Sequence, residues 1–162
     1  MHMPKLSPLP TQIKDKHPYL RFYTWITFRR RWEVLEDWKL QLPHGQPCIV
    51  IPQGFLFDGV SVPKPLHWFL SPTGVLFIPG LVHDFAYRYG YLWACDEEGN
   101  VYKYQEGSSR YFWDSTFKAL GLELNEMYVL NTFSHLILFT FGWISWKENR
   151  KKPFHELKPI QS

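Results

Sequence analysis

The sequence predicts an α+β fold in which a small N-terminal antiparallel sheet is followed by a bundle of about three helices. Short runs rich in aromatic and β-branched residues come first, and longer segments that end at glycine follow them. Strands that precede helices, rather than alternating with them, are typical of this class. The 162 residues, 45% hydrophobic and 20% charged, suit one globular domain with a real core.

Three early runs have the composition of strands, and each is bounded by charged residues or by proline and glycine. They are YLRFYTWITF at 19–28, WEVLEDWKLQL at 32–42 and PCIVIP at 47–52. The segment 54–66 contains two glycines and two prolines, so we expect an ordered loop there. HWFLSPTG at 67–74 predicts a short helical turn.

The helices are predicted from their start and stop signals. Proline suits a first helical turn and glycine a C-terminus, while serine caps an N-terminus. The three predicted helices run from just after Pro79-Gly80 to Gly90, from Ser108 or Ser109 to Gly121, and from about Leu124 to Lys147. Between the first two, YLWACDEEGNVYKYQ is typical of a hairpin with its turn at Glu98–Asn100.

These elements divide the chain into three parts. Residues 1–18 are Pro-rich and polar and should form an extended arm, 19–147 a single α+β domain, and 148–162 a basic C-terminal tail. The N-terminus has no apolar segment of the signal-peptide kind, so secretion by that route is not expected.

Charge and cysteine content exclude some classes of function. A net charge of +3 and a pI near 8.8 fall short of the dense basic surface of a nucleic-acid binder, so no nucleic-acid partner is indicated. Cys48 and Cys95 have no metal-binding spacing; one disulfide is conceivable, but a reducing compartment is favoured.

The segment MYVLNTFSHLILFTFGWISW, residues 127–146, carries no Asp, Glu, Lys or Arg. Its length and the basic residues after it permit a membrane span. Asn131, Ser134 and His135 form a polar stripe, which favours instead a helix buried in the domain with one wet or functional edge. Attachment to a membrane surface is an intermediate alternative.

A histidine and a distant aspartate are the candidate catalytic pair. His83 and Tyr87 share one face of the first helix, as do Asp84 and Arg88, and such pairs are common in purely structural helices. Asp114 lies on an aromatic face of the next helix, where a buried carboxylate needs a partner. The sequence therefore predicts that Asp114 hydrogen-bonds His83 and orients it as a general base.

HDFAYRY at 83–89 and DSTFKAL at 114–120 resemble the two active-site helices of phospholipase A-two, particularly its bacterial and fungal branch. The resemblance implies that His83 activates a water, Asp84 binds calcium, Asp114 orients the histidine and Tyr87 supports the network. It also implies a phospholipid, or a similar ester of a host envelope, as substrate.

Calcium takes six to eight oxygen ligands, and the glycine-rich calcium loop and the disulfides of phospholipases are absent from this sequence. Asp58, in GFLFDG, is the candidate second metal ligand. The alternative is an aspartate that caps its own backbone in a tight turn. Ser61 does not lie in the G-x-S-x-G pattern of a serine nucleophile.

A longer stretch, residues 54–146, is similar to an uncharacterised family that is widespread in bacteriophages and prophages. The shared motif is G-F-x-x-D-x-x-S-V-P, then H-D-x-x-Y, then D-x-x-F. Phe57 stands where that family has threonine, and Val60 where it has alanine. This resemblance implies a phage origin, with the virion or the infected host cytoplasm as location.

Two functions follow from these observations. One is a phage-encoded hydrolase-like protein with a His83–Asp114 dyad and a divalent cation. The other is a non-enzymatic virion or morphogenesis protein that contacts other virion proteins, in which the same residues form a buried structural network.

Overall fold

The computed structural model describes residues 2–9, 31–57 and 74–160. Within these ranges the chain forms seven strands and three helices, which confirms the α+β class. The strands are β1 (Leu6–Pro8), β2 (Trp32–Val34), β3 (Trp38–Gln41), β4 (Cys48–Ile51), β5 (Leu56–Phe57), β6 (Leu92–Cys95) and β7 (Val101–Tyr104). The helices are α1 (Phe77–Tyr89), α2 (Arg110–Asn125) and α3 (Tyr128–Lys151). The predicted strand at 19–28 lies outside the described residues.

The strands form two antiparallel sheets, with the orders β1-β2-β5 and β3-β4-β6-β7. The prediction of one strand over 32–42 is wrong, because this run divides into β2 and β3, which belong to different sheets. Asp37 lies at the break, where its carboxylate accepts hydrogen bonds from the N–H groups of Gln53, at 2.7 Å, and of Ile160. The side chain thus holds a bend that strand composition does not reveal.

The hairpin predicted between the first two helices is confirmed. In its register Leu92 on β6 lies opposite Tyr104 on β7, and the Asp96 carboxylate closes the turn by accepting the N–H of Asn100 at 2.8 Å. Cys95 on β6 lies opposite Cys48 on β4, and both thiols are free.

Helix α1 ends where the sequence predicts. Gly90 adopts a left-handed conformation with φ of 80°, and its N–H donates to the carbonyl of Ala86 at 2.8 Å. The guanidinium of Arg150, near the end of α3, donates to the carbonyl of Tyr87 at 2.6 Å. The C-terminus of α1 is therefore capped by its own glycine and by a cation from another helix.

Helix α2 does not end at Gly121, and this prediction is wrong. Ser109 occupies the N-cap position, as expected, but the helix continues to Asn125 and ends at Glu126, whose φ is 54°. Gly121 serves packing instead: a Cβ added there would lie 1.9 Å from the Asn131 side-chain oxygen on α3. The missing side chain lets the two helices approach each other.

The prediction that residues 127–146 form a buried core helix is also wrong for one side of that helix. α3 packs against α1 and α2, but its buried residues are Asn131, Ser134 and Gly142, while many of its large apolar side chains are exposed. In the polar stripe that was expected at a wet edge, Asn131 and Ser134 are buried and His135 is half-buried; the Asn131 amide donates to Asn125 on α2, and the Ser134 hydroxyl donates to the carbonyl of Leu130 within α3. No helix among the described residues is long and apolar enough to cross a membrane.

One cluster of buried side chains joins both sheets to α1 and α2. It includes Val34, Ile49, Phe57, Phe85 and Trp113. Because these side chains hold α1 and α2 against the sheets, the facing sides of the two helices are fixed in position, and the candidate site lies between them.

The residues after α3 return to the four-stranded sheet. The Trp93 indole donates to the carbonyl of Leu157 at 2.7 Å, and the Glu156 carboxylate accepts hydrogen bonds from Tyr91 and Lys103, each at 2.9 Å. At the other end of the chain, β1 pairs with β2.

Candidate functional site

The predicted contact between α1 and α2 is present. His83 Nε2 lies 3.0 Å from Asp114 Oδ1, and the two side chains are 6% and 0% exposed. A carboxylate only accepts hydrogen bonds, so Nε2 carries the hydrogen of the pair. In the neutral ring the lone pair is then on Nδ1, which is the nitrogen able to take up a proton.

Tyr87 joins the same carboxylate. Its hydroxyl donates to Asp114 Oδ1 at 2.5 Å, and its ring lies 3.9 Å from the ring of His83, centroid to centroid. His83 and Tyr87 reach one acceptor because they are four residues apart on α1, and so lie one above the other on the side that faces α2.

Arg110 is a further member of the network, and the sequence analysis missed it. Its guanidinium donates to Asp114 Oδ2 at 3.2 Å and to the carbonyls of Leu138 at 2.8 Å and Phe139 at 3.1 Å. The signal was the i,i+4 spacing of Arg110 and Asp114, the arrangement of a helical ion pair. Asp114 thus has both oxygens occupied, and Arg110 extends the network to α3.

Gly142 lets α3 come close to this network. A Cβ added at this position would lie 2.6 Å from the Tyr87 hydroxyl and 3.2 Å from Arg110 Nη1. A larger residue would displace one of these polar atoms, so glycine at this point of α3 is a condition for the observed geometry.

Burial decides the protonation states of the site. Desolvation lowers the pKa of His83 below 6.5; Asp114 opposes this shift, and the positive charge of Arg110 adds to it. Desolvation, together with the negative charge of Asp114, raises the pKa of Tyr87 well above its usual range. At neutral pH, His83 is therefore a neutral ring and Tyr87 remains a hydrogen-bond donor.

A pocket of about 80 Å³ opens beside His83. Its walls come from all three helices: His83, Asp84 and Tyr87 from α1, Phe117 from α2, and Leu138, Phe141, Gly142 and Ser145 from α3. A cavity needs about 10–15 Å³ of such space to hold one water, so the pocket has room for several waters or for a small polar group such as an ester.

The two predicted calcium ligands are placed differently. Asp84 is half-buried and lines the pocket, whereas Asp58 lies outside the described residues. In the parts of the chain that the structure describes, no group of three or more His, Cys, Asp or Glu side chains is arranged to hold a metal ion. The carboxylate of Asp84 is the one that these parts contribute to the pocket wall, and backbone carbonyls and waters are the other ligands that calcium commonly takes.

Comparison with known proteins gives a family but no characterised relative. No curated protein and no solved structure matches the chain. A family model does match residues 32–135, a segment that contains His83, Tyr87, Arg110 and Asp114 and ends within α3. Because this segment is more than half of the chain, the protein belongs to the family described as "Protein of unknown function (DUF1353)".

Proposed function

We propose that this protein hydrolyses a carboxylic ester, with His83 as the general base and Asp114 as the residue that orients it. The observation that carries the proposal is a neutral, buried histidine that is hydrogen-bonded to an aspartate and lines a small pocket. The proposed substrate is a phospholipid or a similar ester of a host envelope, which agrees with the apolar residues around the pocket.

In the proposed reaction, a water molecule in the pocket attacks the ester carbonyl carbon as its proton passes to His83 Nδ1. The protonated ring, held by Asp114, then returns that proton to the departing alkoxide, and the ester bond breaks to give an acid and an alcohol. Asp114 stabilises the transient imidazolium, while Tyr87 and Arg110 fix the carboxylate so that it does not reorient during the reaction.

The test is hydrolysis by purified protein of short-chain esters and of phospholipid vesicles. We expect His83→Gln to lower kcat by about 100-fold or more, because general-base catalysis contributes rate factors of that size. The matched control is His135→Gln, at a half-buried histidine on α3 that does not line the pocket. Wild-type activity that survives His83→Gln would contradict the assignment, as would the absence of hydrolysis with every ester.

A calcium ion at Asp84 and Asp58 is a further part of the proposal. When bound, calcium would polarise the ester carbonyl. Titration calorimetry of the wild type with calcium should show binding that Asp84→Asn weakens, and Asp96→Asn, in the exposed hairpin turn, is the control. Equal and negligible heats from the wild type and Asp84→Asn would show that the protein does not bind calcium at this site.

The second candidate is a non-enzymatic virion or morphogenesis protein. It is favoured by the complete pairing of Asp114 and by the link that Arg110 makes to two α3 carbonyls, since both are what a structural cross-link between helices requires. The phage origin rests on the motif resemblance. Finding the chain in purified particles, together with no ester hydrolysis and a large loss of stability in Asp114→Asn, would favour this role.

A further inference from the structure

The side of α3 that points away from α1 and α2 is apolar and exposed. We call it the outer face; its apolar residues are Val129, Phe133, Leu136, Phe139, Trp143 and Ile144, and Thr140 also lies on it, with its hydroxyl donating to the carbonyl of Leu136 at 2.7 Å. Val129 is 82% exposed and Leu136 is 58% exposed. Val129, Leu136 and Trp143 are seven residues apart, which places them in one line along the helix. Single exposed apolar residues are common, but a continuous row of this kind marks an interaction surface.

Both sides of α3 carry apolar residues, since Leu130, Ile137, Leu138 and Trp146 pack inward beside two buried polar residues. An ordinary surface helix is apolar only on the side that faces the core. Asn131 is buried and donates to Asn125 at 2.6 Å and to the carbonyl of Met127 at 2.9 Å. Ser134 is also buried and donates to the carbonyl of Leu130 at 2.7 Å. Packing among the residues that the structure describes therefore does not explain why the outer face is apolar, since these residues contact the other side of α3.

Positive charge lies at one end of the outer face. Lys147 and Lys151 follow Trp143 at intervals of four residues and are exposed, and Lys147 Nζ lies 5.2 Å from the Trp143 ring centroid. The first acidic residue of α3 is Glu148, so no negative charge interrupts the apolar row. An apolar strip with tryptophan and lysine at its end complements an anionic lipid bilayer, in which acyl chains lie beneath negative headgroups.

We propose that the outer face of α3 docks on the surface of an anionic lipid bilayer, with the helix axis parallel to the membrane plane. Phe139 and Ile144 lie roughly 140° apart around the helix, at about 100° per residue. This band is wider than the narrow seam through which two helices pair. A bilayer covers the whole band, whereas a second copy in parallel contact would bring Lys147 and Lys151 of both chains together.

Docking on this face would bring the pocket of His83 to the lipid. Phe141, which is 52% exposed, and Ser145 line that pocket and lie on α3 beside the outer face. The assignment of the outer face as a docking surface depends only on its exposure and on the charge at its end. Only its use, to deliver a lipid ester to His83, rests on the proposed function.

The experiment is co-sedimentation of the full chain with vesicles of ether-linked phosphatidylglycerol or ether-linked phosphatidylcholine. Ether lipids contain no carboxylic ester, so binding is measured whether or not the protein hydrolyses such esters, and His83→Gln should bind as the wild type does. We expect binding to phosphatidylglycerol that weakens in high salt, with little binding to phosphatidylcholine.

Leu136→Gln should weaken the binding about tenfold, because it removes a leucine side chain from the bilayer contact. Lys147→Gln should weaken it about fivefold, given roughly 1 kcal/mol for each lysine near an anionic surface. Val75→Gln, at an exposed apolar residue outside α3, is the control and should change nothing. The proposal fails if the protein binds neither kind of vesicle, or if Leu136→Gln binds them as the wild type does. It also fails if the wild type is a dimer and Leu136→Gln converts it to a monomer without changing vesicle binding.

Discussion

At the residue scale, the number of side chains that hold the Asp114 carboxylate distinguishes this site from an ordinary buried ion pair. One oxygen accepts hydrogen bonds from His83 and Tyr87, and the other accepts one from Arg110. A carboxylate held from three directions keeps the imidazole ring in one orientation and one tautomer, and a general base needs this before substrate arrives. The same pairing makes removal of Asp114 costly, about 3–5 kcal/mol for a broken buried ion pair.

The lowered pKa of His83 predicts acid sensitivity. As pH falls below about 6.5, the ordinary pKa of histidine, the unfolded chain takes up a proton that the folded chain refuses until its own lower pKa is reached. The stability contributed by neutral His83 is therefore complete above pH 6.5 and is lost as pH falls toward the folded pKa. Within that window we expect a slope of about 1.4 kcal/mol per pH unit from this one proton.

Urea unfolding of the wild type and of His83→Gln, across pH values on both sides of 6.5, measures this slope. The difference in unfolding free energy between the two proteins should shrink as the pH falls. His155→Gln, at an exposed histidine, is the control and should follow the wild type. Parallel pH profiles for the wild type and His83→Gln would show that His83 is not the group responsible.

The sequence predicted the partners in this site better than their energetics. His83 and Asp114 were found because a carboxylate on an aromatic helix face requires a partner and the neighbouring helix offered one. Arg110 was missed although its spacing to Asp114 was visible, because spacing alone does not distinguish a surface pair from a buried one. The direction of the His83 pKa shift depends on how deeply the ring is buried, which is a property of the assembled helices.

At the element scale, α3 approaches its neighbours through two glycines. Gly121 on α2 accommodates Asn131, and Gly142 on α3 accommodates Tyr87 and Arg110. The sequence placed Gly121 at a helix end, since glycine is common there, but close contact between helices also requires glycine. The sequence did not predict which side of α3 contacts the rest of the domain. Both sides carry apolar residues, so hydropathy alone does not distinguish them.

The substitution Gly142→Ala tests this close approach. Alanine normally favours a helix by about 1 kcal/mol over glycine, but here its methyl group would meet the Tyr87 hydroxyl. We expect a net loss of about 1–3 kcal/mol, the usual cost of overpacking, measured by urea denaturation.

Tyr87→Phe removes the hydroxyl, so the double variant Gly142→Ala, Tyr87→Phe should be more stable than the sum of the two single changes predicts. Thr140→Ala, on an exposed part of the same helix, is the control and should have little effect. Strict additivity in the double variant would mean that the alanine methyl group is accommodated elsewhere.

At the scale of the whole molecule, α3 is tied to the rest of the domain at several levels along its length. Asn131 bonds to Asn125 near its start, the carbonyls of Leu138 and Phe139 accept Arg110 at its middle, and Arg150 caps α1 near its end. The last residues then bind the four-stranded sheet. The three helices and that sheet should therefore unfold together, in a single transition.

The carbonyls that accept hydrogen bonds from Arg110 also show where the folded unit ends relative to the segment that the family model matches. The segment shared with the family stops at residue 135, whereas the acceptors of Arg110 and the glycine beside Tyr87 lie at 138, 139 and 142. A chain cut at the family boundary would sever α3 and remove the two carbonyls that accept hydrogen bonds from Arg110, while α2, which carries Arg110 and Asp114, would remain. We expect such a fragment, residues 32–135, to lack the cooperative melting transition of the full protein when the two are compared by calorimetry. In this chain the half-helix after residue 135 supplies backbone acceptors and a glycine to the site, so the folded unit extends beyond the segment that the family model matches.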